Sequence, residues 1–274
     1  MPLQFAGNPI GKPFLVLQSI DSTNKYAMGL VHQTHLTEGQ DEPQHGMTFF
    51  ALEQTAGRGQ RGKNWVSEKG SNIALSILLN PYQLSISDQF KLSMCIAVSV
   101  HQFFSVYAGG ETKIKWPNDL YWRDRKAGGI LIENVIGSIK PEAGSQRPEI
   151  WKWAIAGIGI NINQTSFSSD LPNPVSLKQI TGKTFQPVEL AKKLCTIVEE
   201  NYQLMIEKKF ETIFNYYQHH LYKKDETVKL KKANRVFETM IKAVSATGQL
   251  ITQHSIEERF EFGEVEWVIS KDLF

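Results

Sequence analysis

The sequence predicts an α+β fold: a mixed sheet with helices in the main body, then a small β-barrel at the C-terminal end. Three observations carry this. Strand-like and helix-like runs mix through residues 1–222 without the strict alternation of a doubly wound sheet. After about Tyr222 the texture turns to short β-rich runs separated by close-spaced turn signals, with no helical period. No internal repeat or low-complexity tract breaks either part. The expected division is therefore 1–222 and 223–274.

The elements follow in order. "FLVLQSI" (Phe14–Ile20) reads as a strand, and Asp21 or Ser22 can cap a helix that carries Ala27, Leu30 and Val31 on one face. Thr37–Gly46 is a polar loop. Met47–Gln54 and Ile73–Leu79 read as strands, the second stopped by Asn80-Pro81. Ser87–Tyr107 has helical periodicity with good caps. "TKIKW", "GGILIENVIG" and "WKWAIAGIGINI" are strand-like, and "PEAGSQRPE" joins the last two as a hairpin loop. Pro187–His220 reads as one long helix with proline in its first turn.

Bulk properties exclude several classes. The chain has 274 residues, enough for one large domain or a medium and a small one. A net charge of +2 provides no global field for nucleic acid or an anionic membrane. The first twenty residues lack a basic n-region with a long apolar core, so no signal peptide is expected. Apolar runs such as Ile73–Leu79 are too short to span a bilayer. Cys95 and Cys195 sit among apolar neighbours and read as reduced core residues, which points to the cytoplasm. His32 and His35 have metal-like spacing, but no further ligand accompanies them and a solvated helix face is the expectation.

"ALEQTAGRGQRGKNWVS" (Ala51–Ser67) contains the pattern G-x-G-x-x-G at Gly57, Gly59 and Gly62. A dinucleotide fingerprint needs a helix opening at the last glycine and an acid about 20 residues on. Here Gly70, Ser71 and Asn72 break any helix, and Glu68 is the only carboxylate between Gly62 and Pro81. The dinucleotide reading fails. What remains is a loop with Arg58, Arg61 and Lys63 threaded among glycines, suited to carboxylate or phosphate. Two companion segments point the same way. "KIKWPNDLYWRDRKAGGILIEN" (Lys113–Asn134) is basic and ends in paired glycines before a strand. "AIAGIGININ" places Gly157 and Gly159 inside a strand, where glycine marks a close approach of backbone or ligand.

Together these stretches resemble the biotin–protein ligase family, in the form lacking a DNA-binding domain. The resemblance rests on "GRGQRGKNW", "KWPNDLYW", "RKAGGILIEN" and "GIGININ", with "DSTN" (Asp21–Asn24), and spans roughly residues 14 to 163. It implies a catalytic domain of the biotin/lipoate ligase type over 1–222 and an SH3-like barrel over 223–274, the latter matched by position and length. It implies an ATP-dependent ligase that converts biotin to biotinyl-5'-AMP and then biotinylates a lysine of a biotin carboxyl carrier domain. ATP with Mg²⁺ is the co-substrate, biotin the substrate, and no tightly bound prosthetic group is expected.

Residue roles carry over by position. Ser22, Thr23, Asn24 and Gln54 would hydrogen-bond the biotin ring. Gly57, Arg58, Gly59 and Gln60 would lie near its carboxylate, and Lys126 would bridge carboxylate and α-phosphate. Gly128, Gly129, Gly157 and Gly159 would let backbone pack against biotin. Trp65, Asn118 and Asn161 would hold the nucleotide, with Arg61 and Lys63 near the phosphates. Asp119 would bind Mg²⁺ or orient the acceptor amine. The family often has arginine at positions 60 and 63, where this chain has Gln60 and Lys63. A lipoate or octanoate ligase or transferase on the same fold, and a biotin-sensing repressor, are the alternatives. Only about a dozen residues precede the first strand, too few for a helix-turn-helix module, so sequence-specific DNA binding is not expected. No membrane partner is expected, and a homodimer is compatible with the sequence.

Overall fold

The computed structural model describes residues 8–32, 42–81, 84–138, 149–169 and 171–268. Strand β1 (Phe14–Leu17) leads to helix α1 (Thr23–His32), followed by β2 (Thr48–Ala51), β3 (Ile73–Leu79) and helix α2 (Gln89–Ala108). Then come β4 (Thr112–Lys115), β5 (Asp119–Trp122), β6 (Arg125–Ser138) and β7 (Glu149–Ile160). Helices α3 (Leu177–Thr181), α4 (Pro187–Ile206) and α5 (Phe210–His219) close the main body. The C-terminal strands are β8 (Thr227–Lys232), β9 (Arg235–Val244), β10 (Leu250–Gln253), β11 (Glu257–Phe260) and β12 (Glu266–Trp267).

Seven strands make one mixed sheet in the order β1-β2-β3-β7-β6-β5-β4. β1 and β2 pair parallel and the other neighbours antiparallel. The two-residue strand period sorts side chains between two faces. Ile73, Leu75, Ile77 and Leu79 of β3, with Ala154, Ala156, Ile158 and Ile160 of β7, enter the large core beneath α2 and α4. Leu78 and Ile155 turn the other way, against Ala27, Leu30 and Val31 of α1. The expected apolar face of α1 is the one that packs, and the Ser22 carbonyl accepts from the Tyr26 N–H to start the helix.

Two expectations are corrected. The single helix over 187–220 is two helices. Lys208 takes φ 62°, and the N–H groups of Lys208 and Lys209 donate to the Met205 and Leu204 carbonyls at 3.1 and 2.9 Å, which ends α4 and turns α5 against α2. "KWPNDLYW" holds a strand of its own: β4 stops at Lys115, Trp116–Asn118 turn, and β5 runs back antiparallel from Asp119. His220, at the end of α5, packs against His101 and Tyr216 with ring centres 4.3 Å from each. Burial, with His101, His219 and Lys113 nearby, pushes its imidazole down to about 4. The expected loop at Pro141–Glu149 falls almost wholly, and the loop at Thr37–Gly46 partly, outside the described residues, as does His35. His32 ends α1 exposed to solvent.

The C-terminal strands form a five-stranded antiparallel sheet in the order β11-β10-β9-β8-β12. Its Leu230, Ile241, Val244, Leu250 and Phe260 belong to the same large core as the main body. Trp116 Nε1 donates to the Gly248 carbonyl at 2.9 Å, and the Phe90 ring sits against Gly248 so closely that a Cβ there would fall 2.6 Å from it. Cys95 and Cys195 are buried, unpaired thiols, and burial raises both pKa values, Cys195 to about 12. Among the described residues no helix is long and apolar enough to cross a membrane.

Candidate active site

Register lays one row of residues across the sheet on the face that carries α1. Ala74 on β3 stands opposite Gly159 on β7, then Gly129 on β6, Asp119 on β5 and Lys115 on β4. One step along lie Ser76, Gly157 and Leu131, and beyond them Leu78, Ile155 and Glu133. Directly paired residues share a face, so backbone at Gly157, Gly159 and Gly129 forms a floor. The floor is closely covered. A Cβ at Gly157 would fall 2.2 Å from Asn24 Oδ1, and one at Gly159 would fall 2.5 Å from the Trp65 ring. Gly128 is not part of it: it pairs with Ile160, faces the large core, and its Cβ would meet the Gly159 carbonyl at 2.8 Å.

The N-terminus of α1 supplies one side. Ser22, Thr23 and Asn24 are buried. Gln54 Oε1 accepts from the Thr23 N–H at 2.8 Å and from its hydroxyl at 3.1 Å. Asn24 Nδ2 donates to Glu133 Oε2 at 2.9 Å and to the Leu131 carbonyl at 3.2 Å, while Asn24 Oδ1 accepts from Ser76 Oγ at 2.5 Å. Asn24 is thereby clamped flat on Gly157.

The glycine-arginine loop forms the cover. The Trp65 N–H donates to the Gly57 carbonyl at 2.9 Å and the Gly59 N–H to the Lys63 carbonyl at 2.6 Å, closing a hairpin with a single helical turn at Gln60–Gly62. Gly57 must lack a side chain, since a Cβ there would come within 2.3 Å of the Trp65 carbonyl. The turn does not continue into a helix at Gly62, in keeping with the rejected dinucleotide reading. Arg58 Nη1 lies 3.0 Å from Glu133 Oε1. Arg61 lies 3.7 Å from Glu266 of β12, and Lys63 is exposed. The buried Trp65 indole N–H has no acceptor within the described protein.

Lys126 reaches this face through a bulge. Leu120 pairs with Gly128 but Tyr121 pairs with Lys126, so Ala127 is the extra residue. The bulge re-aims the side chain: without it Lys126 would share Gly128's face, whereas its Nζ lies beside Gly129 and 2.7 Å from Asp119 Oδ1. A backbone splice holds the strand end. The Lys126 N–H donates to the Asn173 carbonyl at 2.8 Å and its carbonyl accepts from the Val175 N–H at 2.9 Å. Asn161 Nδ2 ties the same two segments, donating to the Val175 carbonyl at 3.2 Å, and Asn118 Nδ2 donates to the Ile130 carbonyl. Both asparagines are buried, and these amide donors are spent on backbone.

Two residues of this face, Ser76 and Glu133, were not singled out from the sequence, and Lys115 was read only as one cation of a basic segment. Lys115 is almost fully buried, donates to the Tyr121 hydroxyl at 3.1 Å and lies 5.3 Å from the Trp267 ring centre of β12. Burial pushes its ammonium down to about 8. Asp119 opposes that shift, and Lys126 and Lys63 add to it. Asp119 thus stands between two lysines. Among the described residues no three His, Cys, Asp or Glu side chains converge on a point. Mg²⁺ favours carboxylate and water oxygens, so a lone carboxylate already committed to Lys126 does not fit a protein-held Mg²⁺ site.

Residues 16–145 match the biotin/lipoate A/B protein ligase family. The chain is 31% identical over 199 residues to a bifunctional ligase/repressor BirA of Bacillus spizizenii, covering 71% of this chain and 55% of that protein. It is 32% identical over 146 residues to a biotin–[acetyl-CoA-carboxylase] ligase of Paracoccus denitrificans, covering 51% of this chain and 56% of that one. The chain thus spans about half the length of these relatives. It shares its fold with the biotin protein ligase from Aquifex aeolicus in complex with biotin and ATP, at a TM-score of 0.73 and 24% identity over 93% of this chain and 98% of that one. A Leishmania major biotin protein ligase in complex with biotinyl-5-AMP aligns at a TM-score of 0.53 and 20% identity, over 90% and 97% of the two chains.

Proposed function

We propose, from the match of residues 16–145 to the biotin/lipoate A/B protein ligase family, that the chain belongs to that family and is an ATP-dependent biotin–protein ligase. The observation that carries the proposal is the pair of cations at the glycine floor: Lys126, re-aimed by its bulge, and Arg58 on the covering loop. In the first step the biotin carboxylate attacks the α-phosphorus of ATP, the bond to pyrophosphate breaks, and biotinyl-5'-AMP forms. Two unit charges about 4 Å apart at an effective dielectric near 20 repel by roughly 4 kcal/mol. Left unopposed, that is on the order of a thousandfold in rate. Fixed cations at the meeting point remove the penalty. A carboxylate is already ionised, so this step needs no general base. In the second step an acceptor lysine amine attacks the acyl carbon and AMP leaves, with the amine proton passing to solvent.

On this reading Ser22, Thr23, Asn24 and Gln54 bound the biotin ring, and Gly157 and Gly159 serve it by seating Asn24 and Trp65, with Gly129 beside Lys126. Gly57, Gly59 and Gln60 shape the loop over the carboxylate, and Trp65 has an indole donor left for the substrate. Lys126 bridges carboxylate and α-phosphate, and Arg61 and Lys63 serve the nucleotide side. Asn118 and Asn161 act there by holding the Lys126 strand. Asp119 keeps Lys126 in place and meets the incoming amine. A divalent ion would arrive with ATP and would offset phosphate charge there. The acceptor is a biotin carboxyl carrier domain, the compartment the cytoplasm, and residues 223–274 an SH3-like barrel packed on a catalytic domain of residues 1–222.

Biotin-dependent pyrophosphate–ATP exchange tests the reading, with lipoate and octanoate as competitors. The parent should exchange with biotin, and Lys126→Ala should lose about two to three powers of ten. A folded parent that gives no exchange with biotin, or exchanges only with lipoate or octanoate, overturns it.

A further inference from the structure

We infer that Glu133 is a positioning residue: it occupies Arg58 in the free protein and yields that arginine to the carboxylate of the incoming substrate. The inference rests on the ligase reading. Glu133 stands on β6 on the floor side of the sheet, with its two carboxylate oxygens divided between two partners. Oε1 lies 3.0 Å from Arg58 Nη1, and Oε2 accepts from Asn24 Nδ2 at 2.9 Å. The partners differ in how firmly they are held. Asn24 is buried, pinned by Ser76 and the Leu131 carbonyl, and seated on Gly157. Arg58 rides on a glycine-rich loop and keeps 51% of its side chain exposed, against 21% for Glu133.

A guanidinium stays charged at any working pH and presents five donors in a fork. One donor on Glu133 leaves the rest of the fork open to a second anion. When a carboxylate arrives, Arg58 can leave Glu133, and Glu133 remains held by Asn24. Glu133 is then a resident counter-ion that keeps Arg58 over the floor before substrate binds, and it competes weakly with the substrate's own charge. The site repeats the arrangement at its other cation, where Asp119 holds Lys126 at 2.7 Å. Half-exposed pairs of this kind are weak, so their competition is limited to a factor of about two to five.

Calorimetric titration of the full chain with biotin and with biotin amide, which lacks the negative charge, tests this. Glu133→Gln keeps an acceptor for Asn24 and removes the charge. It should bind biotin about threefold more tightly than the parent and bind biotin amide equally well. Unchanged or weaker biotin binding, or the same factor for both ligands, overturns the inference. If Glu133→Gln fails to fold, Glu133→Asp draws the carboxylate back from Arg58 and should shift biotin alone in the same direction, by less. Equal affinities there also overturn it. A parent that binds neither ligand overturns the ligase reading as well, whereas a parent that binds biotin without the predicted difference sinks only the role of Glu133.

Discussion

Gly157→Ala should destabilise the protein by about 2–3 kcal/mol, and the loss should vanish when Asn24 is removed. The added Cβ would lie 2.2 Å from Asn24 Oδ1, 2.8 Å from its Cγ and 3.0 Å from its Nδ2. The neighbour is no flexible chain end. Asn24 is 3% exposed and its amide is held by Ser76, Leu131 and Glu133. Making room means breaking three hydrogen bonds, each worth about 1 kcal/mol net, and Ser76 is fully buried and would lose its acceptor. Alanine's better backbone entropy returns about 0.5–1 kcal/mol. In an Asn24→Ala background the same methyl meets no amide and should be neutral. Urea unfolding of the four proteins in this cycle measures the coupling, expected near 2 kcal/mol. Additivity within about 0.5 kcal/mol would refute the clash as the cause.

Stability should also fall on mild acidification. Burial pushes the His45 and His101 imidazoles down to about 4 from an ordinary 6.5. The unfolded chain takes up these protons first, so stability is complete above pH 6.5 and is lost as the pH falls towards 4, by up to about 3 kcal/mol per group. Thermal melts of His101→Asn over that window should slope less than those of the parent, and equal slopes would refute the role of His101. On the ligase reading, Gln60→Arg adds a cation to the covering loop and should slow release of biotinyl-adenylate several-fold, within the range of a half-exposed charge contact. Equal release rates in a stopped-flow chase would remove Gln60 from the account.

Much of the candidate site's backbone geometry could be read in the sequence because its constraints are local. Glycines two apart in "GIGIN" signal a backbone that something approaches, and Asn24 and Trp65 are what approach it. The failure of the dinucleotide pattern was visible in Gly70-Ser71-Asn72, and no helix opens at Gly62. What stayed hidden depends on pairing. Glu133 looks like one polar residue of "ILIEN" until register places it beside Ile155 and under Arg58. Lys115 faces Asp119 only because Trp116–Asn118 turn the chain back. The Pro117-Asn118 pair was a turn signal for that hairpin. Lys126 would fall on the wrong face by simple alternation, and only the bulge at Ala127 corrects it. The α4–α5 break left no mark either, since "IEKKFE" is made largely of helix formers and the turn depends on Lys208 taking a left-handed conformation.

The floor and its cover differ in their freedom to evolve. Any side chain at Gly157 or Gly159 collides with a seated group, so neither position can drift without dismantling the pocket. Arg58, Gln60, Arg61 and Lys63 hang on a loop with solvent beside them, where a substitution alters charge without disturbing the sheet. On the proposed ligase reading, selection for tighter or looser hold on the acyl-adenylate has one inexpensive route, through the loop. An engineer who wants this scaffold to release a reactive acyl-adenylate, or to keep it, should randomise the loop and leave the strands alone.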